Sequence, residues 1–270
     1  MALTAFQRDA CRIIAANRTE TGESYVAGGA ALNAVTVSPR VSHDIDLFHD
    51  TQEALEATWR ADRDLFAGNA YQVDVLRERV SFIEARISKG GQSVLMQWVR
   101  DSAYRFFPLV RHEELGVILH PFDLATNKML AAVGRLEVRD WVDLIRCHES
   151  IQPLGFLAWA ACGKDPGFSP QMILAQAARS SHYSATEVAE LEFDGPPPDA
   201  GALSRAWHRM LAKAEPIVSV LPYAEVGKCV LNADGTLFRG DVVGLHDALA
   251  NGNVRFHAGR IRGALPQLVG

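Results

Sequence analysis

Apolar and polar positions follow two periods along this chain, and the change between them falls near residue 120. Leu3, Phe6, Ala10, Ile13 and Ile14 share one side of a helix predicted over 3–17. Ser24-Tyr25-Val26-Ala27 reads as a short strand ended by Gly28-Gly29, and 30–35 as a short helix. Residues 41–48 read as a strand, with His49 and Asp50 opening a turn. A helical stretch over 53–66 stops at Ala67-Gly68-Asn69. Three β-rich segments follow, at 71–76, 80–87 and 93–99, the last two separated by Lys89-Gly90-Gly91. The first 120 residues are therefore mixed α/β.

From Pro121 the pattern turns helical. Leu124, Met129, Leu130 and Val133 run on to Gly134, and further helices are predicted at 137–151, 153–163, 170–180 and 203–214. Pro196-Pro197-Pro198, after Asp194-Gly195, cannot continue a helix or a central strand and marks the clearest linker. Residues 228–238, broken by Asn232-Ala233-Asp234-Gly235, read as a small hairpin. The expected organisation is α+β: an α/β core over 1–120, a helical region over 121–194, and a C-terminal helical segment with the hairpin over 195–270.

Composition narrows the class. A chain of 270 residues, 48% apolar and 22% charged, is that of a globular protein. Its net charge of −5 gives no global basic field of the kind a nucleic-acid binder carries. Cys11, Cys147, Cys162 and Cys229 are far apart and form no C-x-x-C pair, so neither a zinc site nor a disulfide framework is expected. Scattered reduced thiols fit the cytoplasm. No stretch approaches the ~20 apolar residues of a membrane span, and residues 1–17 lack the apolar core of a signal peptide.

The chemistry starts at Asp44-Ile45-Asp46. Side chains alternate along a strand, so both carboxylates share one face while Ile45 and Leu47 point to the core. Their Cα atoms then stand roughly 6–7 Å apart. At an effective dielectric of 20, two such charges repel by on the order of 3 kcal/mol. A divalent cation between them removes that cost, and magnesium, which takes carboxylate and phosphate oxygens together, suits the task. Upstream, Gly28-Gly29 between a strand and a helix lets backbone approach a ligand and offers free N–H groups to phosphate.

Two helical clusters follow. Asp123-x4-Lys128 places a cation inside a helix, expected to steady a triphosphate. Arg139-Asp140-Trp141-Val142-Asp143 sets two aspartates at i, i+3 on one face, with Arg139 in reach of Asp143 at i, i+4. The bland account of such charges is a set of solvated pairs. His43 alternates onto the face of Ile45 and reads as structural or as a support behind the carboxylates. Trp98, Tyr104, Phe106 and Phe107 read as core. Lys164, beside Cys162 and Asp165, sits in a loop, and Arg239, Arg255, Arg260 and Arg262 read as solvated surface.

Taken in order, Gly28-Gly29-Ala30-Ala31-Leu32, Ser42-His43-Asp44-Ile45-Asp46-Leu47, Asp123-x4-Lys128-x2-Ala131 and Arg139-Asp140-x2-Asp143-Leu144 resemble the AbiEii/AbiGii-type toxin nucleotidyltransferases of the DNA polymerase beta-like superfamily. The resemblance spans roughly residues 20–150. It implies a nucleotidyltransferase-fold mixed sheet with flanking helices, followed by a helical region that completes the active-site cleft. It implies that Gly28 and Gly29 contact phosphates, that Asp44 and Asp46 bind magnesium or manganese, and that Lys128 and Asp140 are essential, with Arg139 and Asp143 in support. The expected reaction moves a nucleoside monophosphate from an NTP to an acceptor hydroxyl on RNA, a protein or a small molecule. An antitoxin would be the partner of such a toxin, and no membrane is involved.

The chain departs from the family's pattern in three places, one being the fourteen residues between Gly29 and Asp44, a few more than usual. Family members commonly carry Gly-Ser where Gly28-Gly29 stands, so a hydroxyl contact is lost. No third metal carboxylate is evident: Asp74 and Asp101 are candidates, and Gln97 stands where an acid is wanted. The competing readings are a nucleotide-binding module of the same fold that has lost catalysis, and a glycosyltransferase, which would need a larger sheet before the acids.

Overall fold

The computed structural model describes residues 3–21, 24–179 and 183–267, which divide into two compact units. The first unit comprises residues up to Ala103 together with Leu109–His120, and the second comprises Tyr104–Pro108 and the chain from Pro121 onward.

In chain order the first unit runs α1 (Ala5–Thr21), β1 (Ser24–Ala27), α2 (Gly28–Val35), β2 (Asp44–His49), α3 (Gln52–Gly68), β3 (Gln72–Arg79), β4 (Phe82–Lys89) and β5 (Gln92–Arg100). The short strand β6 (Tyr104–Arg105) belongs to the second unit, after which β7 (Val110–His112) and β8 (Gly116–Ile118) return to the first. The strands make one mixed sheet in the order β3-β4-β5-β2-β1-β8-β7. β2 runs antiparallel to β1 and parallel to β5, and β1 runs parallel to β8.

Ile45, Leu47, Ile83, Ala85, Ile87, Met96 and Trp98 line one face of this sheet and are fully buried or nearly so. Helices α1 and α3 pack there, with Trp59 meeting Trp98 edge-on at 4.7 Å between ring centroids. Each of these large side chains contributes roughly 1.5–3 kcal/mol by leaving water. One charged pair is embedded in the same layer: Asp62 accepts from Arg18 Nη2 at 2.5 Å and from Trp98 Nε1 at 2.8 Å. That pairing lets two fully buried charges persist.

His49 does not open a turn as its position after the apolar run suggested. It is the last residue of β2, buried, with its ring between the Ser24 hydroxyl at 3.1 Å and the Val99 carbonyl at 3.2 Å. Strand β2 also starts later than expected, at Asp44, leaving His43 outside it and exposed rather than facing the core.

The second unit continues with α4 (Pro121–Arg135), α5 (Val138–Ser150), α6 (Leu154–Ala161), α7 (Pro170–Arg179), α8 (Ala185–Ala189) and α9 (Ala200–Val220). Residue 180, the expected end of the helix over 170–180, lies outside the described residues. Helix α6 is apolar on every side and buried along its whole length, as an all-round hydrophobic helix must be. Trp141, Trp159 and Trp207 complete this core, and the Trp207 indole donates to the Ala177 carbonyl at 3.2 Å.

The last elements are β9 (Lys228–Asn232), α10 (Val242–Ala250), β10 (Val254–Ala258) and β11 (Arg260–Ile261). The hairpin expected over 228–238 is therefore corrected. The chain does turn at Asn232–Gly235, but only an isolated bridge, Leu231 to Leu237, follows. The ladder of β9 forms with β10, beyond helix α10. Among the described residues no helix is long and apolar enough to cross a membrane.

Candidate active site

Within the first unit, β1 ends at Ala27 and the chain turns directly into α2 through Gly28, whose φ of +65° favours glycine. The turn brings Gly28 against the side chain of Asp46, across the antiparallel β1–β2 pair in which Ala27 faces Asp46. A Cβ on Gly28 would stand 1.8 Å from Asp46 Oδ2. Gly29 is approached in the same way: its Cβ would lie 2.9 Å from Ser42 Oγ and 3.0 Å from Arg40 Nη2. No side chain caps α2, so the N–H groups of its first turn have no partner within the helix.

Strand β2 alternates as the sequence indicated. Ile45, Leu47 and His49 are buried, while Asp44, Asp46 and Phe48 occupy the other face, half-buried. Asp44 Oδ1 accepts from Ser42 Oγ at 3.2 Å, and among the described residues Asp44 forms no ion pair. The next strand, β5, sets Gln97 beside Asp46, and β4 sets Glu84 beside Gln97. Gln97 Nε2 donates to Glu84 Oε1 at 3.0 Å.

Neither candidate third acid joins the pair. Asp101 lies past the end of β5, four residues beyond Gln97 and thus about 13 Å along the strand. It is exposed, and its carboxylate accepts from the Ser102 N–H at 2.7 Å. Asp74 lies on the edge strand β3, opposite Arg86 of β4. Among the described residues no three His, Cys, Asp or Glu side chains converge as a metal cluster.

The two carboxylates and the Ser42 hydroxyl offer oxygen donors beside the glycine turn, where the Arg40 guanidinium also lies. One of the carboxylates has no basic partner. Paired carboxylate oxygens are the donors that a hard divalent cation such as magnesium takes.

Within the second unit, Lys128 of α4 lies between two aspartates of α5, with Nζ 2.8 Å from Asp140 Oδ1 and 3.0 Å from Asp143 Oδ2. Both aspartates and the lysine are buried. Burial alone would depress the Lys128 pKa, but Asp143 and Asp140 outweigh it and hold the ammonium above its ordinary range. For Asp140, burial pushes upward, and Arg135 and Lys128 together bring the carboxyl below its usual range. The arginine that grips Asp140 is Arg135, with Nε to Oδ2 at 2.7 Å and Nη2 to Oδ1 at 2.8 Å. Arg139, expected to reach Asp143, pairs with Glu137 instead. The i, i+4 spacing allowed the first contact, but Glu137, the N-cap residue of α5, is nearer.

Asp123 is fully buried. Its two oxygens accept from the N–H groups of Phe106 and Phe107, and Lys164 Nζ lies 2.8 Å from Oδ1. The loop lysine therefore anchors the start of α4. Arg135, Glu84 and Lys164 were not legible as site residues because each acts on a partner that folding brings near. For Arg135, its place in the last turn of α4, close ahead of Asp140, was the one local signal.

The seven-stranded mixed sheet flanked by helices, with the glycine turn after β1, is an α+β fold shared with known nucleotidyltransferases. The chain is similar to JHP933 from Helicobacter pylori, at 15% identity and a TM-score of 0.50, over 78% of this chain and 91% of that one. It is likewise similar to MenT4, a nucleotidyltransferase toxin from Mycobacterium tuberculosis, at 13% identity and a TM-score of 0.53, over 80% of this chain and 86% of that one. At such identities the likeness is one of fold. No protein-family model and no curated protein matches the chain.

Proposed function

We propose that this protein is a nucleotidyltransferase that moves a nucleoside monophosphate from an NTP to an acceptor hydroxyl, and that it acts as a toxin held in check by an antitoxin. The observation that carries the reading is the contact between the Gly28 turn and Asp46, which joins a phosphate-accepting helix start to a metal-holding carboxylate. Asp44 and Asp46 hold Mg2+ or Mn2+, which when bound neutralises charge on the phosphates. The N–H groups of Gly28 and Gly29 receive phosphate oxygens, and the Ser42 hydroxyl orients Asp44. The acceptor is RNA, a protein or a small molecule. Lys128 and Asp140 are required for transfer, with Asp143 in support and Arg135 fixing Asp140. The toxin role draws on the fold shared with MenT4, itself a nucleotidyltransferase toxin.

The test is incubation with each labelled NTP, Mg2+, total RNA and lysate. Wild-type protein labels one acceptor class, and Asp44→Asn and Asp46→Asn, with unchanged circular dichroism, do not. Undiminished labelling by both variants overturns the assignment. A second reading, a nucleotide-binding module without transfer, is favoured by one observation: Gln97 stands beside Asp46 where an acid was wanted. Calorimetric binding of NTP with no pyrophosphate release under any acceptor would establish it.

A further inference from the structure

The segment between α2 and β2 is pinned back onto the helix it leaves. Asn33, one turn after Gly29 and so on the same side of α2, is 1% exposed. Its Nδ2 donates to the Arg40 carbonyl at 2.8 Å, and the Asn33 backbone carbonyl accepts from the Ser38 N–H at 2.9 Å. The Ser38 hydroxyl in turn accepts from the Arg40 N–H at 3.2 Å. A backbone carbonyl accepts and does not donate, so the Asn33 amide must present its NH2, which leaves Oδ1 buried without a donor. The bond to Arg40 offsets that cost. Val37, exposed with a φ of +50°, shows how firmly the segment is held. A β-branched residue stays in that region only where its surroundings over-determine it.

Arg40 is 4% exposed, and its guanidinium lies at the glycine turn. Nη1 donates to the Val41 carbonyl at 3.2 Å, and Nη2 comes within 3.0 Å of the place a Cβ on Gly29 would take. The Ser42 hydroxyl comes within 2.9 Å of that same place. The space a side chain at position 29 would fill is thus shared by a hydroxyl and a cation, next to the uncapped first turn of α2. A helix start contributes about half a positive charge. The guanidinium adds a whole one, on a planar group whose donors match phosphate oxygens.

We infer that Arg40 reads the phosphate chain of the nucleotide at this turn, and that Asn33 is the residue that positions it. This rests on the nucleotidyltransferase reading above for the identity of the ligand. The consequence is selection by charge. Each added phosphate brings more negative charge to a fixed cation, so the turn and Arg40 together favour a triphosphate over shorter chains. That preference belongs to the protein's own groups and survives removal of the metal.

The experiment is calorimetric titration of the full-length protein in EDTA with orthophosphate, pyrophosphate and tripolyphosphate, with circular dichroism as the check on folding. The wild type binds tripolyphosphate most tightly of the three. Arg40→Gln weakens tripolyphosphate about thirtyfold, the size of a lost charge-assisted hydrogen bond, and orthophosphate about threefold. Arg40→Lys keeps part of the preference. Asn33→Ala weakens tripolyphosphate about fivefold and leaves orthophosphate unchanged, a split that a general loss of stability would not give. Asp44→Asn binds tripolyphosphate no worse than the wild type. Wild-type preference in folded Arg40→Gln, or no binding of any of the three anions by the wild type, overturns the inference. If Arg40→Gln does not fold, wild-type affinities in both Arg40→Lys and Asn33→Ala overturn it. Arg40-dependent binding of tripolyphosphate by a protein that transfers no nucleotide leaves the anion site standing and removes the transferase reading.

Discussion

Gly28 and Asp46 share one small volume: the acid's Oδ2 occupies the place where any side chain at position 28 would begin. The glycine is thus demanded twice, by its φ of +65° and by the carboxylate lying over it. A residue far along the chain decides what the turn may contain.

Gly28→Ala should therefore move Asp46 off the turn. The strained backbone costs about 1–3 kcal/mol, and the displaced carboxylate should abolish nucleotide transfer. Gly29→Ala is the milder change, because its Cβ meets the ends of the Ser42 and Arg40 side chains, at 2.9 and 3.0 Å, which can shift. Urea denaturation and labelled-NTP assays of both variants check this. Equal effects from the two would contradict it.

Asp44→Asn should separate stability from activity. Asp44 lacks an ion-pair partner among the described residues, so removing its charge relieves repulsion with Asp46 and should leave metal-free stability unchanged or raised, by on the order of 1 kcal/mol for half-exposed groups. The stabilisation that Mg2+ and NTP give the wild type should disappear. Thermal melts with and without the two ligands read both effects, and a variant less stable than wild type in their absence would refute the argument.

Lys128→Met should behave in the opposite way. It removes the ammonium 3.0 Å from the buried Asp143 and leaves Asp140 with Arg135 alone, a loss of about 3–5 kcal/mol. Arg135→Ala, at a half-exposed position, should cost less. Chemical denaturation ranks the two. A native-like midpoint for Lys128→Met would show that the ammonium does not hold α4 to α5.

His49 should make the protein acid-sensitive. Burial lowers its pKa from 6.5 to about 4, against the hydrogen bond it makes to Val99. The unfolded chain takes up the proton first, so this stability is complete above pH 6.5 and is lost as the pH falls toward 4. The loss from this residue is about 2 kcal/mol at pH 5. Unfolding free energies of wild type and His49→Gln at pH 7 and pH 5 test it: the variant should lose less on acidification, and equal losses would count against His49.

The helical second half was visible in the chain because helix periodicity is local. Pro121 opens α4, and Glu137 stands just before α5, both within a residue or two of expectation. The three sheet segments around Gly90-Gly91 were legible for the same reason. The partner of β9 was not: a nearby turn signal pointed to 236–238, while the ladder formed across α10 with residues whose affinity for it shows only in packing.

By itself the sequence determined which side chains share a face: strand alternation put Asp44 and Asp46 together and turned Ile45 and Leu47 to the core, since a period of two is a property of the backbone. Only the tertiary structure decided what those acids meet. That Asp46 lies over Gly28, that Gln97 is its neighbour, and that Arg135 holds Asp140 while Arg139 turns to Glu137 all depend on strand register and helix approach. Those are set by burial of the whole core, a sum over distant residues that no local spacing encodes.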